Sequence, residues 1–274
     1  MSIAIVTGGA SGIGRAVATA LVSRGDTVVV TDINAEGAEY VAGRLNTLGR
    51  GKATAARLDV TDADAVAELY QGVKAEHGTL DLVFNNAGIA IGGLAEELTL
   101  DHWNRAIDIN LKGVVHGVHA AYPIMLEQGS GHIVNTASLA GLVPMPIGIP
   151  YTATKHAVVG LSLGLRAEAA TRGVKVSVVC PSFVDTPLLS NVNPGLPATP
   201  LSGNAKDDIQ KASPRLYTAE KLARDIIRGI QRNQALIVAP ASGRAAWRGA
   251  RLNPSAAVRV AQFAVSKVLA DKKR

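Results

Sequence analysis

Ile3-Ala4-Ile5-Val6-Thr7-Gly8-Gly9-Ala10-Ser11-Gly12-Ile13-Gly14 is the stretch on which the fold turns. An apolar run of strand length reaches Thr7. Four glycines then fall within seven residues, and a helical pattern follows to Arg24. Glycine permits a tight turn and lets backbone come close to a pyrophosphate. The start of the next helix offers N–H groups and partial positive charge to phosphate. Gly8, Ser11, Gly12 and Gly14 are therefore candidate phosphate contacts. The second strand, Thr27–Asp32, ends in an acid eighteen residues after Gly14. That is near the spacing at which a carboxylate meets the ribose 2′-hydroxyl of a dinucleotide. A carboxylate there also repels a 2′-phosphate, and Ile33 adds no compensating charge; Arg15 is the nearby cation. NAD is favoured over NADP.

The same strand-then-helix pattern repeats outward from this unit. Strands are expected at Ala53–Asp59, Leu82–Asn85, His132–Thr136, Lys175–Cys180 and Ala235–Val238. Helices are expected at Gly14–Arg24, Ala35–Leu48, Ala63–Glu76 and Tyr151–Ala170. Several strands are apolar nearly throughout, as parallel strands covered on both faces are. The expectation is a single α/β domain over residues 1–243, an open doubly wound parallel sheet with helices on both faces. Ligands of such sheets bind beyond the carboxyl ends of the strands. Residues 186–215 break the alternation. They hold Pro187, Pro194, Pro197, Pro200 and Pro214, and they read as a substrate loop.

Composition narrows the function classes. The chain has 274 residues, 47% hydrophobic and 18% charged, enough apolar material for a sizeable core. Its formal net charge of +6 is unevenly spread. Residues 244–274 carry eight basic side chains and one acid, net +7, whereas residues 1–243 carry 20 basic and 21 acidic, net −1. A nucleic-acid partner is not expected, because the body is neutral and no binding motif stands in the tail. One cysteine, Cys180, excludes an intrachain disulfide framework and a Cys-rich metal site. It ends a buried strand and reads as core. His116-x-x-His119 lacks a third ligand at convincing spacing, so no metal is expected. No leader pattern and no eighteen-residue apolar run are visible, and the reading is a soluble cytoplasmic protein.

Tyr151 and Lys155 share one face of a helix at i, i+4 spacing. A tyrosine with its ordinary pKa of about 10 is a poor base near neutrality. An adjacent ammonium lowers that pKa, so the pair suits proton transfer. Ser138 follows the strand His132–Thr136 and precedes Tyr151 by thirteen residues.

The chain resembles the short-chain dehydrogenase/reductase family over about residues 3–240. Thr7–Gly14 is similar to its Thr-Gly-x-x-x-Gly-x-Gly motif. Asn85-Asn86-Ala87-Gly88 is similar to its Asn-Asn-Ala-Gly signature, and Asn110, Ser138, Tyr151 and Lys155 fall in the order of its catalytic tetrad. The resemblance implies a Rossmann-type fold and a nicotinamide cofactor. It implies that Tyr151 exchanges a proton with a carbonyl or alcohol oxygen and that Ser138 orients that oxygen. Lys155 would hold the nicotinamide ribose and lower the Tyr151 pKa, and Asn110 would hold a relay water. By position it places the Ile13 backbone at the phosphates, Asp59 and Val60 at the adenine, and Asn85, Ala87 and Gly88 along the adenosine. Thr186 would lie at the carboxamide, and Val184 is a further implied cofactor contact. Ser182 departs from the glycine usual after Pro181. A homodimer or homotetramer is implied, built through helices near residues 102–122 and 151–170.

Leu139, Leu142, Val143, Met145, Ile147 and Ile149 lie between Ser138 and Tyr151 with no charged residue among them, and Leu188 and Leu189 open the proline-rich loop. The expected substrate is a small apolar secondary alcohol or ketone. The rival reading is a cofactor-binding sensor or scaffold without turnover. The 244–274 extension is amphipathic over Ser255–Ala270. Val258, Ala261, Val265 and Val268 share one face, Arg259, Gln262 and Ser266 the other, and Phe263 stands near the polar edge. Packing on the body or a partner subunit, peripheral contact with an anionic membrane, and a solvated end all stay open.

Overall fold

A computed structural model describes residues 1–200, 202–203, 205–212 and 216–272. Pro214 of the proline-rich segment and Lys273 and Arg274 of the basic tail lie outside the described residues. The chain begins β1 (Ile3–Thr7), α1 (Gly12–Arg24), β2 (Thr27–Asp32), α2 (Ala35–Asn46), β3 (Lys52–Arg57), α3 (Ala63–His77) and β4 (Leu82–Asn85). It continues through α4 (Leu100–Ala106), α5 (Gly113–Gln128), β5 (Gly131–Thr136), α6 (Ile149–Ala169) and β6 (Val174–Pro181). Then come β7 (Val184–Asp185), α7 (Ala205–Ala212), β8 (Tyr217–Thr218), α8 (Ala219–Gln231), β9 (Leu236–Ala239), α9 (Ala241–Leu252) and α10 (Pro254–Lys272).

Seven strands form one parallel sheet in the order β3-β2-β1-β4-β5-β6-β9. The expected single-domain α/β fold with a doubly wound parallel sheet is what the chain adopts. Alternate strand residues feed opposite layers. Ala4, Val6, Val28, Val30 and Val134 join α1, α2 and α8 in one cluster. Ile5, Val29, Val83 and Ile133 join α3 and α5 in the other. Burial on both faces explains strands such as Thr27-Val28-Val29-Val30, in which every residue is buried. The chain winds from β1 out to β3, then returns past β1 to β4. That reversal leaves a crevice between the loops after β1 and β4, where such sheets take their ligands.

Most expected boundaries shift by one or two residues, and three departures bear on the site's surroundings. Strand β3 stops at Arg57 rather than Asp59, because the Asp59 Oδ1 accepts from Thr61 N at 3.0 Å and Thr61 Oγ1 at 2.7 Å and closes a turn. The 186–215 segment is not structureless, since it contains a short 3-10 turn at Pro187–Leu189 and helix α7. The division at residue 243 falls inside α9. Gly243 is buried there, and Trp247 packs against the cluster that contains Leu139, Val158 and Val238, so the start of the extension is part of the body.

Candidate active site

The glycine loop is shaped by close approach. Gly8 sits at φ +64, and a Cβ on it would come within 2.9 Å of the Ala87 Cα; a Cβ on Gly14 would collide with the Gly8 carbonyl oxygen. Side chains at positions 8 and 14 would therefore fill the cradle between β1 and β4. The Thr7 Oγ1 accepts from the N–H groups of Asn86 and Ala87 at 2.9 and 3.0 Å, and Asn86 Nδ2 donates to the Thr7 carbonyl at 2.9 Å. These bonds tie the ends of β1 and β4 together. Ser11 is the exposed N-cap residue of α1, yet its hydroxyl makes no capping bond, and no acid stands in the first turn. Ile13 and Gly12 follow at the same helix start.

Asp32 ends β2 beside this loop. One carboxylate oxygen accepts from Ala10 N at 3.1 Å and the other from Asn34 N at 3.0 Å. The acid thus fixes the glycine loop. Asp59 is partly buried. Burial raises its pKa, but hydrogen bonds from Thr61 and the charges of Arg105 and Arg57 outweigh that and hold it below the usual carboxylate range. Val60 turns its side chain under Gly113, and its carbonyl is bonded to His116 Nδ1 at 2.9 Å. Thr186 lies over the loop: a Cβ on Gly12 would sit 3.2 Å from the Thr186 side chain. Val184 is buried in the core beneath it.

Asn85 is a correction. Its side chain does not line the crevice; it is 2% exposed and points into the interior. Tyr70 donates to Asn85 Oδ1 at 3.2 Å, and Asn85 Nδ2 donates to Asn135 Oδ1 at 2.8 Å. Asn135 in turn donates to Ser162 Oγ at 3.0 Å, which donates to the Val158 carbonyl at 2.6 Å. This chain of bonds stitches α3, β4, β5 and α6. Strand alternation carries the signal that separates the two asparagines: Asn85 shares the face of Val83, two residues before it.

The residues expected to handle the proton converge at the end of β5 and the start of α6. Ser138 caps the 3-10 turn Leu139–Gly141, its Oγ accepting from Ala140 N at 3.1 Å. Tyr151 lies in the first turn of α6, and Lys155 one turn later. The Lys155 Nζ donates to the Thr136 carbonyl at 2.9 Å and stands 5.5 Å from the centroid of the Tyr151 ring. Burial pulls the Lys155 pKa down to about 8. Although Tyr151 keeps partial exposure, enclosure raises its pKa; the hydrogen bond with Ser138 opposes that rise, and Cys180 adds to it. The net direction is opposite to the depression expected from the lysine alone. Desolvation of the phenolate is the larger effect. Cys180 is fully buried in the core, and its thiol is pushed up to about 12 by burial.

Asn110 is fully buried in a π-turn, Ile107–Lys112, which joins α4 to α5. Its Oδ1 accepts from Ile89 N at 2.8 Å and its Nδ2 donates to the Ile89 carbonyl at 3.0 Å. The side chain is therefore committed to the strand-end segment. A Cβ on Gly88 would sit 2.9 Å from Asn110 Oδ1 and 3.6 Å from Lys155 Nζ. Gly88 thus brings the asparagine and the lysine to either side of one residue.

Three residues outside the expected set hold the proline-rich segment to the rim. Asn193, buried at φ +57, accepts from Gly92 N and donates to the Gly92 carbonyl, both at 2.9 Å. The Thr199 Oγ1 donates to the same carbonyl at 2.7 Å, and His102 Nε2 is 3.0 Å from the Pro197 carbonyl. Pairing of Ala90 with Val192 continues the contact. No local pattern marks these residues, because their partners lie about a hundred positions away. Among the described residues no group of three His, Cys, Asp or Glu side chains is placed to hold a metal.

Residues 2–197 match the family model described as short chain dehydrogenase. A cyclohexanol dehydrogenase of Acinetobacter sp. (strain SE19) is 39% identical over 190 residues, 69% of this chain and 75% of that one. An uncharacterised oxidoreductase of Staphylococcus aureus (strain MW2) is 40% identical over 192 residues, 70% of this chain and 82% of that one. The crystal structure of a short-chain dehydrogenase/reductase from Burkholderia phymatum in complex with NAD superposes with a TM-score of 0.82. It is 32% identical and covers 90% of this chain and 92% of that one.

Proposed function

This chain belongs to the short-chain dehydrogenase family of oxidoreductases, and from that premise we propose that it is an NAD-dependent enzyme interconverting an apolar secondary alcohol and its ketone. The observation that carries the reading is the meeting of Ser138, Tyr151 and Lys155 at the carboxyl end of β5, beside the glycine loop. The cradle at Gly8, Gly12 and Gly14 and the carboxylate of Asp32 fit a dinucleotide without a 2′-phosphate. Gly8, Ser11, Gly12, Ile13 and Gly14 would hold its phosphates and Asp32 its adenosine ribose. Asp59, the Val60 backbone, Ala87 and Gly88 would line the adenosine, and Thr186 would meet the carboxamide. When bound, the nicotinamide supplies or takes the hydride.

The protein's own groups handle the proton. In the reducing direction the Tyr151 hydroxyl gives its proton to the carbonyl oxygen, and Ser138 donates a hydrogen bond to that oxygen. In the oxidising direction Tyr151 takes the alcohol proton. Lys155 holds positive charge near the phenol and would hold the nicotinamide ribose when the cofactor is bound. Because both polar atoms of the Asn110 side chain bond Ile89, a relay water there would meet the Asn110 backbone in its π-turn, where the regular ladder is interrupted. The apolar stretch between Ser138 and Tyr151, together with Leu188 and Leu189, favours a substrate like the alcohol in the Acinetobacter relative's name. The enzyme is read as a cytoplasmic homodimer or homotetramer. A panel of cyclic and linear alcohols and ketones, followed at the nicotinamide absorbance with NAD and with NADP, tests this. Turnover confined to charged substrates, or none at all, would refute it.

A further inference from the structure

Helix α10 carries two unlike faces. Ala257, Ala261, Val265 and Val268 are partly covered, and the helix packs on α9. The opposite face stands in solvent, with Phe263 75% and Val260 70% exposed. Arg259 and Lys267 lie four residues before and after Phe263, so the three side chains form one row; both cations are exposed. Phe263, an outlier when the valine face is taken as the apolar one, is the centre of the exposed face.

Charge identifies what fits it. No acidic residue occurs between Asp225 and Asp271, while that stretch holds seven Lys and Arg. A second copy of this chain offers no net complementary charge, because residues 1–243 carry −1 and two basic tails repel. Among the described residues no helix is long and apolar enough to cross a membrane. An aromatic residue bracketed by long cationic side chains suits the boundary of an anionic bilayer. The ring enters below the headgroups and the cations reach back to the phosphates. We propose that the Phe263 face of α10 docks this protein on a membrane surface containing anionic phospholipid, independently of its redox chemistry.

Full-length protein would be sedimented with vesicles of phosphatidylcholine alone and of phosphatidylcholine mixed with phosphatidylglycerol. Truncation at 243 is unsuitable because it opens α9. Binding is expected only to the mixed vesicles, and it should weaken as salt is raised. Arg259→Gln and Lys267→Gln should each lower the partition coefficient about fivefold, as expected for one cation at an anionic surface. Phe263→Ser should lower it as well, while cofactor-dependent turnover and solution mass stay unchanged. Absence of binding to mixed vesicles would overturn the proposal, as would equal binding by wild type and the charge variants. A Phe263→Ser change in oligomeric mass with vesicle binding intact would assign the face to a second copy instead.

Discussion

The Lys155 ammonium stands over the Tyr151 ring at 5.5 Å and spends a hydrogen bond on the Thr136 carbonyl at 2.9 Å. The lysine is thereby held by β5 with its charge over the phenol ring. Burial raises the Tyr151 pKa and lowers that of Lys155 to about 8, so each group is biased toward its neutral form.

Tyr151→Phe removes the proposed proton-transfer group and is expected to lower kcat by about 10²–10⁴-fold. Cofactor affinity, read by fluorescence titration, should stay within a few fold. Because alcohol oxidation needs the phenolate and enclosure raises its pKa, kcat/KM for oxidation should climb as pH rises above neutrality. The reduction should be favoured at lower pH. A flat profile in both directions would contradict the assignment of Tyr151.

Asp32→Ala leaves Ala10 N and Asn34 N without their acceptor and removes the negative charge from the end of β2. A charged hydrogen bond contributes about 1.5–3 kcal/mol, so NADH affinity should fall by about tenfold or more. NADPH affinity should fall less or rise, since the repulsion of a 2′-phosphate is gone. Parallel titrations with both cofactors measure the ratio, and an unchanged ratio would reject Asp32 as the discriminating group.

Asn193→Ala breaks both bonds to Gly92 and places a residue with a Cβ and no local hydrogen bonding at φ +57. The proline-rich segment should loosen at the rim. The expected result is a several-fold rise in substrate KM with cofactor affinity unchanged. Loss of kcat with unaltered KM would show that this latch does not shape the substrate side.

His132 is buried between β5 and β6, where Nε2 lies 2.8 Å from Ser177 Oγ. The Ser177 hydroxyl donates to the Gln234 carbonyl at 2.6 Å, so the histidine is the donor to Ser177. Burial, with Lys175 and Arg166 nearby, lowers its pKa from 6.5 to about 4. The unfolded chain therefore binds this proton more readily than the folded one between those values. Stability should fall as pH drops from about 6.5 toward 4, by up to ~3 kcal/mol. His132→Gln should flatten that part of the stability profile in thermal or urea unfolding, and an equal slope in both proteins would refute the assignment.

Much of the fold was legible because its signals are local. Ile3–Thr7, Thr27–Asp32 and Leu82–Asn85 read as strands from short runs of β-branched and apolar residues, and their ends match the structure. The end of β3 was not legible, because Asp59 looks like a continuing strand until Thr61 bonds back to it. The 3.6-residue period placed Tyr151 and Lys155 on one face of α6, yet it could not say that desolvation would outweigh the lysine's effect on the phenol.

The amino-acid order determined by itself the alternation of strand and helix, the glycine loop after β1, the acid at the end of β2 and the Tyr-x-x-x-Lys pair. Each is a pattern of near neighbours, set by backbone period and by the conformational freedom of glycine. Only the tertiary structure decided that Asn85 faces inward, that Asn193 and Thr199 latch to Gly92, and that the α9 start belongs to the body. Those outcomes depend on contacts between residues far apart in the chain. Which partner meets a given side chain is settled by the packing of whole layers against one sheet.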